Sequence, residues 1–400
     1  MAEVAIVEGR GSYLIDDRQR RYLDFVSGYG VSALGHANPH WVEVVTRQAA
    51  RLCVSPFHSP VRASYLERLG EVLPPELGRT SLFSGGAEAV EAAVRLAQQA
   101  TGRDGVLAFR SAFHGKTAGV RFAGASAEEQ RTGLAPSWLH HAKFPACRSH
   151  SASRYEVCEE SPGLSWARLG EGLDLAKVSC VIVEPVLGTA GNIPPQRRFF
   201  SELRAACDDR GWLLIFDESQ TGFGRTGSMF ASDLFGVVPD IMVTCKGMGG
   251  GFPLSGVAAS PDLWSAGSLD RPSATSTSFG GNPLACAAGG AVLDVLAQPS
   301  FLGDMRRVAF LLAAGLDELA ATSPYASWSR GVGMMLGFDL VDPQTGDLAD
   351  RSFCGQVFRR CRDMGLLLAA DVPRVRLSPP LTLSEEEARQ ALAILKEALS

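Results

Sequence analysis

From about residue 65 to residue 285 the chain alternates helix-period segments with short apolar runs closed by glycine or charge. Val178-Ser-Cys-Val-Ile-Val183, Leu213-Leu-Ile-Phe216 and Ile241-Met-Val-Thr-Cys245 are the clearest runs. Short continuous runs of this kind suit strands covered on both faces. Thr80-Ser-Leu-Phe83 and Gly105-Val-Leu-Ala-Phe109 add two more strands, and Glu88 to Ala97 between them is a strong helix former. The alternation predicts βαβ units and an α/β fold with a mainly parallel sheet. Before it, Tyr13-Leu-Ile15 and Tyr22-Leu-Asp-Phe25 flank the polar turn Asp16-Asp-Arg18, a short β arm, and a helix is expected from about Trp41 to Leu52. The last hundred residues read as helix, strand and helix in a smaller α+β unit. Ser384 and Glu387 have capping-box spacing at the start of its closing helix. The resulting division is an N-terminal arm with part of the small domain (1–55), a large domain (56–285) and a C-terminal small domain (286–400). Residues 145–170 show no clear period and are expected to be an irregular excursion.

Composition narrows the class of protein. Hydrophobic residues make up 46% and charged residues 20% of the 400, which is globular rather than disordered. A net charge of −5 gives no general pull toward phosphate backbones, so nucleic acid is not an expected partner. No apolar run reaches membrane-spanning length, and Met1 to Arg10 has neither a basic nor an apolar leader region. A cytoplasmic protein without membrane attachment is the expectation. The nine cysteines include no Cys-x-x-Cys pair and no zinc spacing, so no metal is expected, and cysteines inside apolar runs, such as Cys180 and Cys245, read as small buried hydrophobes.

Chemistry enters where the apolar runs stop. The three clearest runs end at Glu184, Asp217 and Lys246. In an open α/β sheet ligands bind beyond the carboxyl ends of the strands, so three ionisable strand ends point to one pocket. Lysine is scarce, five against 33 arginines, which makes Lys246 conspicuous. A lysine there suits Schiff-base formation, acid–base work or phosphate binding, and Gly247-Met-Gly-Gly-Gly251 after it lets backbone approach a bulky ligand. Asp217 suits an anion facing a cationic ring nitrogen. Together these are the needs of pyridoxal phosphate. Ser84-Gly-Gly-Ala87, opening a helix, offers backbone N–H groups to a phosphate. Phe113, in Phe113-His-Gly115, offers a ring to stack on; taken alone it reads as core.

At this point the chain resembles the class III, fold-type I pyridoxal-phosphate-dependent aminotransferases over nearly its whole length. The resemblance is carried by Asp217-Glu-Ser-Gln-Thr-Gly-Phe-Gly-Arg-Thr-Gly227, Lys246-Gly-Met-Gly-Gly-Gly-Phe-Pro253, Ser278-Phe-Gly-Gly-Asn-Pro283 and Arg376-Leu-Ser-Pro-Pro380. It implies that Lys246 forms the Schiff base and moves the proton, that Asp217 binds the pyridine nitrogen, and that Gln220 lies near the ring hydroxyl. Gly86 and Ala87 would hold the phosphate, Phe113 would stack on the ring, and His114, Glu184 and Ser219 would complete the cofactor site. Ser278 would reach the phosphate of a neighbouring subunit, which implies a homodimer with shared sites. Arg376 would take the substrate carboxylate, and Tyr29 would belong to the substrate site.

The departures from the family pattern bear on substrate. Ser219 stands where valine is usual, leaving a smaller and more polar ring face. In Glu184-Pro-Val-Leu-Gly-Thr-Ala-Gly191, Thr189 occupies the place of the glutamate that pairs with the arginine in members acting on ornithine, acetylornithine or γ-aminobutyrate. That favours an amino-acid and oxo-acid pair, with glutamate and 2-oxoglutarate the default, exchanging with a substrate whose primary amine is remote from, or lacks, an α-carboxylate. An aminomutase or racemase on the same scaffold would show the same cofactor residues. A non-catalytic cofactor-binding regulator is disfavoured, because no residues are left over for a DNA-binding domain.

Overall fold

The computed structural model describes residues 4–124, 136–148, 150–157, 163, 174–271, 273–369 and 372–400. The expected excursion at 145–170 lies partly outside these residues; within them, 152–157 form a turn of 3-10 helix. Three strands open the chain, β1 (Ile6–Arg10), β2 (Tyr13–Asp16) and β3 (Arg21–Asp24). Seven form the large sheet: β4 (Arg79–Phe83), β5 (Gly105–Phe109), β6 (Leu139–Ala142), β7 (Val178–Val183), β8 (Leu213–Asp217), β9 (Ile241–Thr244) and β10 (Ser255–Ala259). Their order is β4-β10-β9-β8-β7-β5-β6. All neighbours are parallel except β10, which runs antiparallel to both β9 and β4. Since β10 reverses direction twice, β4 runs with the parallel set. Six strands therefore end at one edge.

Every residue of β7 is buried because helices cover both faces. Cys180 and Ile182 join the cluster under helix Gly86–Thr101, while Val181 and Val183 join the one under helix Phe199–Arg210. Burying each such side chain contributes about 1.5–3 kcal/mol, which anchors the strand ends that carry the charges.

The C-terminal part contains β11 (Ala326–Val332), β12 (Met335–Leu340), β13 (Leu366–Leu367) and β14 (Arg374–Leu377). Strand β13 pairs in parallel with β3, so the N-terminal arm and the C-terminal residues share one four-stranded sheet. Glu387 caps helix Glu385–Ala398 together with Ser384, as the spacing predicts. The early helix runs Pro39–Ala49 rather than 41–52, started by the Asn38 side chain on the Trp41 amide and by Pro39 in its first turn. Among the described residues no single helix is long and apolar enough to cross a membrane.

Candidate active site

The edge where the parallel strands end gathers the chemistry. Beyond β5 come Phe113 and His114, beyond β7 Glu184, at the end of β8 Asp217, and after β9 Lys246. Beyond β4 the turn Ser84-Gly85 leads into helix Gly86–Thr101.

Asp217 is almost fully buried, and its Oδ2 lies 2.8 Å from His114 Nδ1 while Oδ1 accepts from the Ser219 amide at 3.1 Å. Burial alone would raise its carboxyl, but the His114 bond and charge, with the Ser219 bonds, hold it below the usual range. The same pairing raises His114 despite the opposing effect of its own burial. The buried carboxylate is thus held toward its ionised form by the buried histidine bonded to it. His114 Nε2 is buried with no partner among the described residues.

Glu184 is also buried, and its two oxygens accept from the amides of Phe113 (2.7 Å) and Gly188 (3.1 Å). Burial pushes its carboxyl up to about 7, with His114 and the two amides opposing and Asp217 adding. It ties the Phe113 segment to the loop 184–191. In that loop Gly188 has no room for a side chain, since a Cβ would sit 2.0 Å from Gln220 Oε1. The same Gln220 oxygen accepts from Lys246 Nζ at 3.0 Å.

Lys246 opens a 3-10 turn with φ of 36°, a left-handed conformation that costs a non-glycine residue about 1–3 kcal/mol. Burial lowers its ammonium, with Glu184 and Asp217 pulling the other way. Cys245 departs from the expectation of an inert core residue. It is only partly buried, and a Cβ on Gly86 would lie 3.3 Å from its sulfur, so it faces the helix-opening turn.

In that turn Glu88 Oε2 accepts from the Ser84 and Gly85 amides at 3.1 and 2.9 Å. Capacity for an anion at this helix start therefore rests on Gly86 and Ala87. Gly115, at φ of 128°, lets the Phe113-His114 segment close on the helix, because a Cβ there would be 2.7 Å from Ala87 Cβ. Phe113 is not core: it is 38% exposed over the site.

The guanidinium of Arg376 lies 5.4 Å from the ring centre of Tyr29 and is half-buried. Burial lowers it, with Tyr29 and Glu184 opposing. Tyr29 sits in a run of four left-handed residues, Ser27 to Gly30, which sequence reasoning did not find. Thr189 is exposed. Ser278 is exposed in the segment before helix Pro283–Leu296, and among the described residues it makes no hydrogen bond to this group. The segment that carries Ser278 packs against the end of β4, where Gly281 faces Leu82, so the expected residues lie at this edge or on the elements that frame it.

A buried ionised carboxylate, a lysine and a glycine-opened helix at one sheet edge define a fold-type I pyridoxal-phosphate enzyme. The chain belongs to the family described as aminotransferase class-III, which matches residues 1–399. It is 35% identical to acetylornithine aminotransferase 1 of Bordetella pertussis, over 98% of this chain and 94% of that one. It is 33% identical to the 4-aminobutyrate aminotransferase of Escherichia coli, over 96% and 90%. Among solved structures, the PLP-bound amine transaminase from an uncultivated Pseudomonas species superposes with a TM-score of 0.87 at 27% identity, covering 100% of this chain and 95% of that one. The protein is a pyridoxal-phosphate-dependent aminotransferase.

Proposed function

We propose that the chain moves an amino group between glutamate and 2-oxoglutarate on one side and a substrate with a primary, non-α amine on the other, as a cytoplasmic homodimer in a specialised biosynthetic pathway. The observation that carries this reading is Arg376 beside Tyr29, with Thr189 rather than an acid at its position in the loop after Glu184. An arginine without an acidic partner stays available to a carboxylate. Relatives named for acetylornithine and 4-aminobutyrate support a remote amine.

Pyridoxal phosphate, when bound, supplies an electrophilic carbonyl and a ring that withdraws electrons from the reacting carbon. In this reading Gly86 and Ala87 would hold its phosphate, Phe113 and Ser219 would line the ring site, and Gln220 would bind its hydroxyl. Asp217, held low by its bond to His114, would favour the protonated ring nitrogen. Glu184 fixes Phe113 and the 184–191 loop through their amides. Lys246, its ammonium weakened by burial, accepts and returns the proton at the substrate carbon. Arg376 binds the amino-acid carboxylate, and Ser278 serves the partner subunit's site.

Arg376→Ala should slow only the half-reaction with glutamate. Losing the charged donor of a shielded carboxylate costs about 2–4 kcal/mol, roughly 30- to 1,000-fold. Single-turnover spectra of each half-reaction measure it, and equal slowing of both halves would make the arginine structural.

His114→Phe leaves Asp217 buried without the hydrogen-bond partner that holds it low. A carboxyl held low by a partner rises when the partner goes, so charge is lost as pH falls from neutrality. The acid limb of the pH–rate profile should move up by about one unit or more. An unmoved limb would mean that His114 does not set the state of Asp217.

A further inference from the structure

Asp24 closes β3, and its buried carboxylate turns to the loop that follows. Oδ1 accepts from the Val26 and Ser27 amides, each at 2.9 Å, and Oδ2 lies 2.8 Å from His36 Nε2. Asp24 and His36 are 12 positions apart, so one carboxylate ties together both ends of the loop between them. His36 is fixed from its other side as well. It exchanges two backbone bonds with Gly11, each of 2.8 Å, and a Cβ on Gly9 would meet its Cβ at 2.7 Å. The bare backbone of β1 at Gly9 is what lets the imidazole close on Asp24.

Between these ends the backbone is left-handed at four consecutive residues: Ser27 at φ of 47°, Gly28 and Tyr29 at 61°, and Gly30 at 87°. Two of the four carry side chains, for which this region is unfavourable. Such strain persists only where surrounding contacts over-determine it, and it gathers at ligand sites. The Asp24 carboxylate supplies those contacts at the start of the run, and Ser32 N closes it by donating to Ser27 O at 2.9 Å. The apex meets the site on two sides. Tyr29 sets its ring 5.4 Å from the Arg376 guanidinium. At Gly30 a Cβ would lie 3.9 Å from Cγ of Gln220, the acceptor of Lys246. The flanks of the loop are tied to the segment that continues from Arg376. Ser378 N donates to Phe25 O at 2.9 Å, and Leu381 N to Ala33 O at 2.8 Å. Those bonds register the flanks, and Asp24 with His36 sets the path of the apex between them.

We propose that Asp24 and His36 are positioning residues that hold Tyr29 against Arg376 for the half-reaction with the amino acid. The inference rests on the reading of Arg376 as the carboxylate-binding arginine. Asp24 is 1% exposed, so it acts through the turn and not on a ligand. Without its charge the hold on His36 weakens, the strained residues relax toward ordinary φ, and the Tyr29 ring leaves the guanidinium. The substrate carboxylate then meets an arginine that has lost its aromatic wall.

The test is a double-mutant cycle on the holoenzyme, read by single-turnover absorbance of each half-reaction, which separates affinity from rate. Asp24→Asn keeps an oxygen for the two amides and loses the charge facing His36. It should weaken the apparent affinity for glutamate roughly tenfold and leave the limiting rate within about threefold. The half-reaction with the remote amine should change by less than about twofold. Tyr29→Ala should weaken glutamate at least as much. In the Tyr29→Ala protein, adding Asp24→Asn should cost less than about twofold more, because the residue being positioned is already gone. His36→Ala should follow the same cycle, and it carries the test if Asp24→Asn does not fold. Equal costs with and without Tyr29, or equal weakening of both half-reactions, would make the pair a fold staple and overturn the positioning role. Arg376→Ala separates the two readings. If it slows both halves equally, the reading of Arg376 falls and the positioning role falls with it. If it weakens glutamate alone while Asp24→Asn and His36→Ala change nothing, only the positioning role falls.

Discussion

Lys246→Ala should abolish turnover while the protein still folds and still takes up pyridoxal phosphate. The lysine is held in a left-handed conformation just after β9, and its Nζ donates to Gln220 Oε1. Alanine keeps the Cβ, so the cost of the left-handed conformation is unchanged, and the substitution removes the side chain's bond to Gln220. Of the remaining four lysines, Lys116 follows Gly115 and Lys143 follows β6 at this edge, Lys177 lies at the opposite end just before β7, and Lys396 is in the closing helix. General acid–base help of this kind contributes about 10²–10⁴-fold, and loss of the amine as a nucleophile adds to that. The measurement pairs steady-state rates with cofactor absorbance. The variant should lose the visible band of the lysine-linked cofactor and recover some turnover with added methylamine. Multiple turnovers without an added amine would remove Lys246 from its proposed role.

Asp217→Asn should cost on the order of 10³-fold in rate, about 4 kcal/mol of barrier, with cofactor affinity falling less. The substitution keeps the shape and loses the charge. His114 then loses the carboxylate it is bonded to. His114 is raised by Asp217, so without the carboxylate its burial dominates and it loses its proton at lower pH. Rate and the pH dependence of the bound cofactor's spectrum should therefore change together. A loss below tenfold would place the ring nitrogen away from Asp217.

What the chain discloses in advance follows physical lines. The strand ends were legible because buried parallel strands are uninterrupted apolar runs, and a charge that stops such a run is conspicuous. Glu184, Asp217 and Lys246 were found that way. Strand β10, Ser255-Gly-Val-Ala-Ala259, has small residues and no charged end, so periodicity did not single it out, although it reverses the sheet and aligns β4 with the parallel set. Strand β1 was missed because its residues are largely exposed. The early helix was displaced by two to three residues because the Asn38-Pro39 start was not read.

The roles of side chains that act through backbone were not legible. Glu184 works on the amides of Phe113 and Gly188, partners that no spacing reveals. His114 is adjacent to Phe113 in sequence, but its bond to Asp217 spans 103 positions. The arginines of β14 show only as alternation in a short strand, and the pairing of Asp24 with His36 across the base of the Tyr29 turn spans 12 positions.

Transfer between two molecules is most directly tested with an amine labelled with nitrogen-15, incubated with holoenzyme and 2-oxoglutarate. Primary amines that lack an α-carboxylate and ω-amino acids of several lengths serve as donors. The label should appear in glutamate in step with loss of the donor amine, and no turnover should occur when the oxo acid is omitted. Label that stays within the donor's own carbon skeleton, moved or inverted without any oxo acid, would instead establish an isomerase on this scaffold.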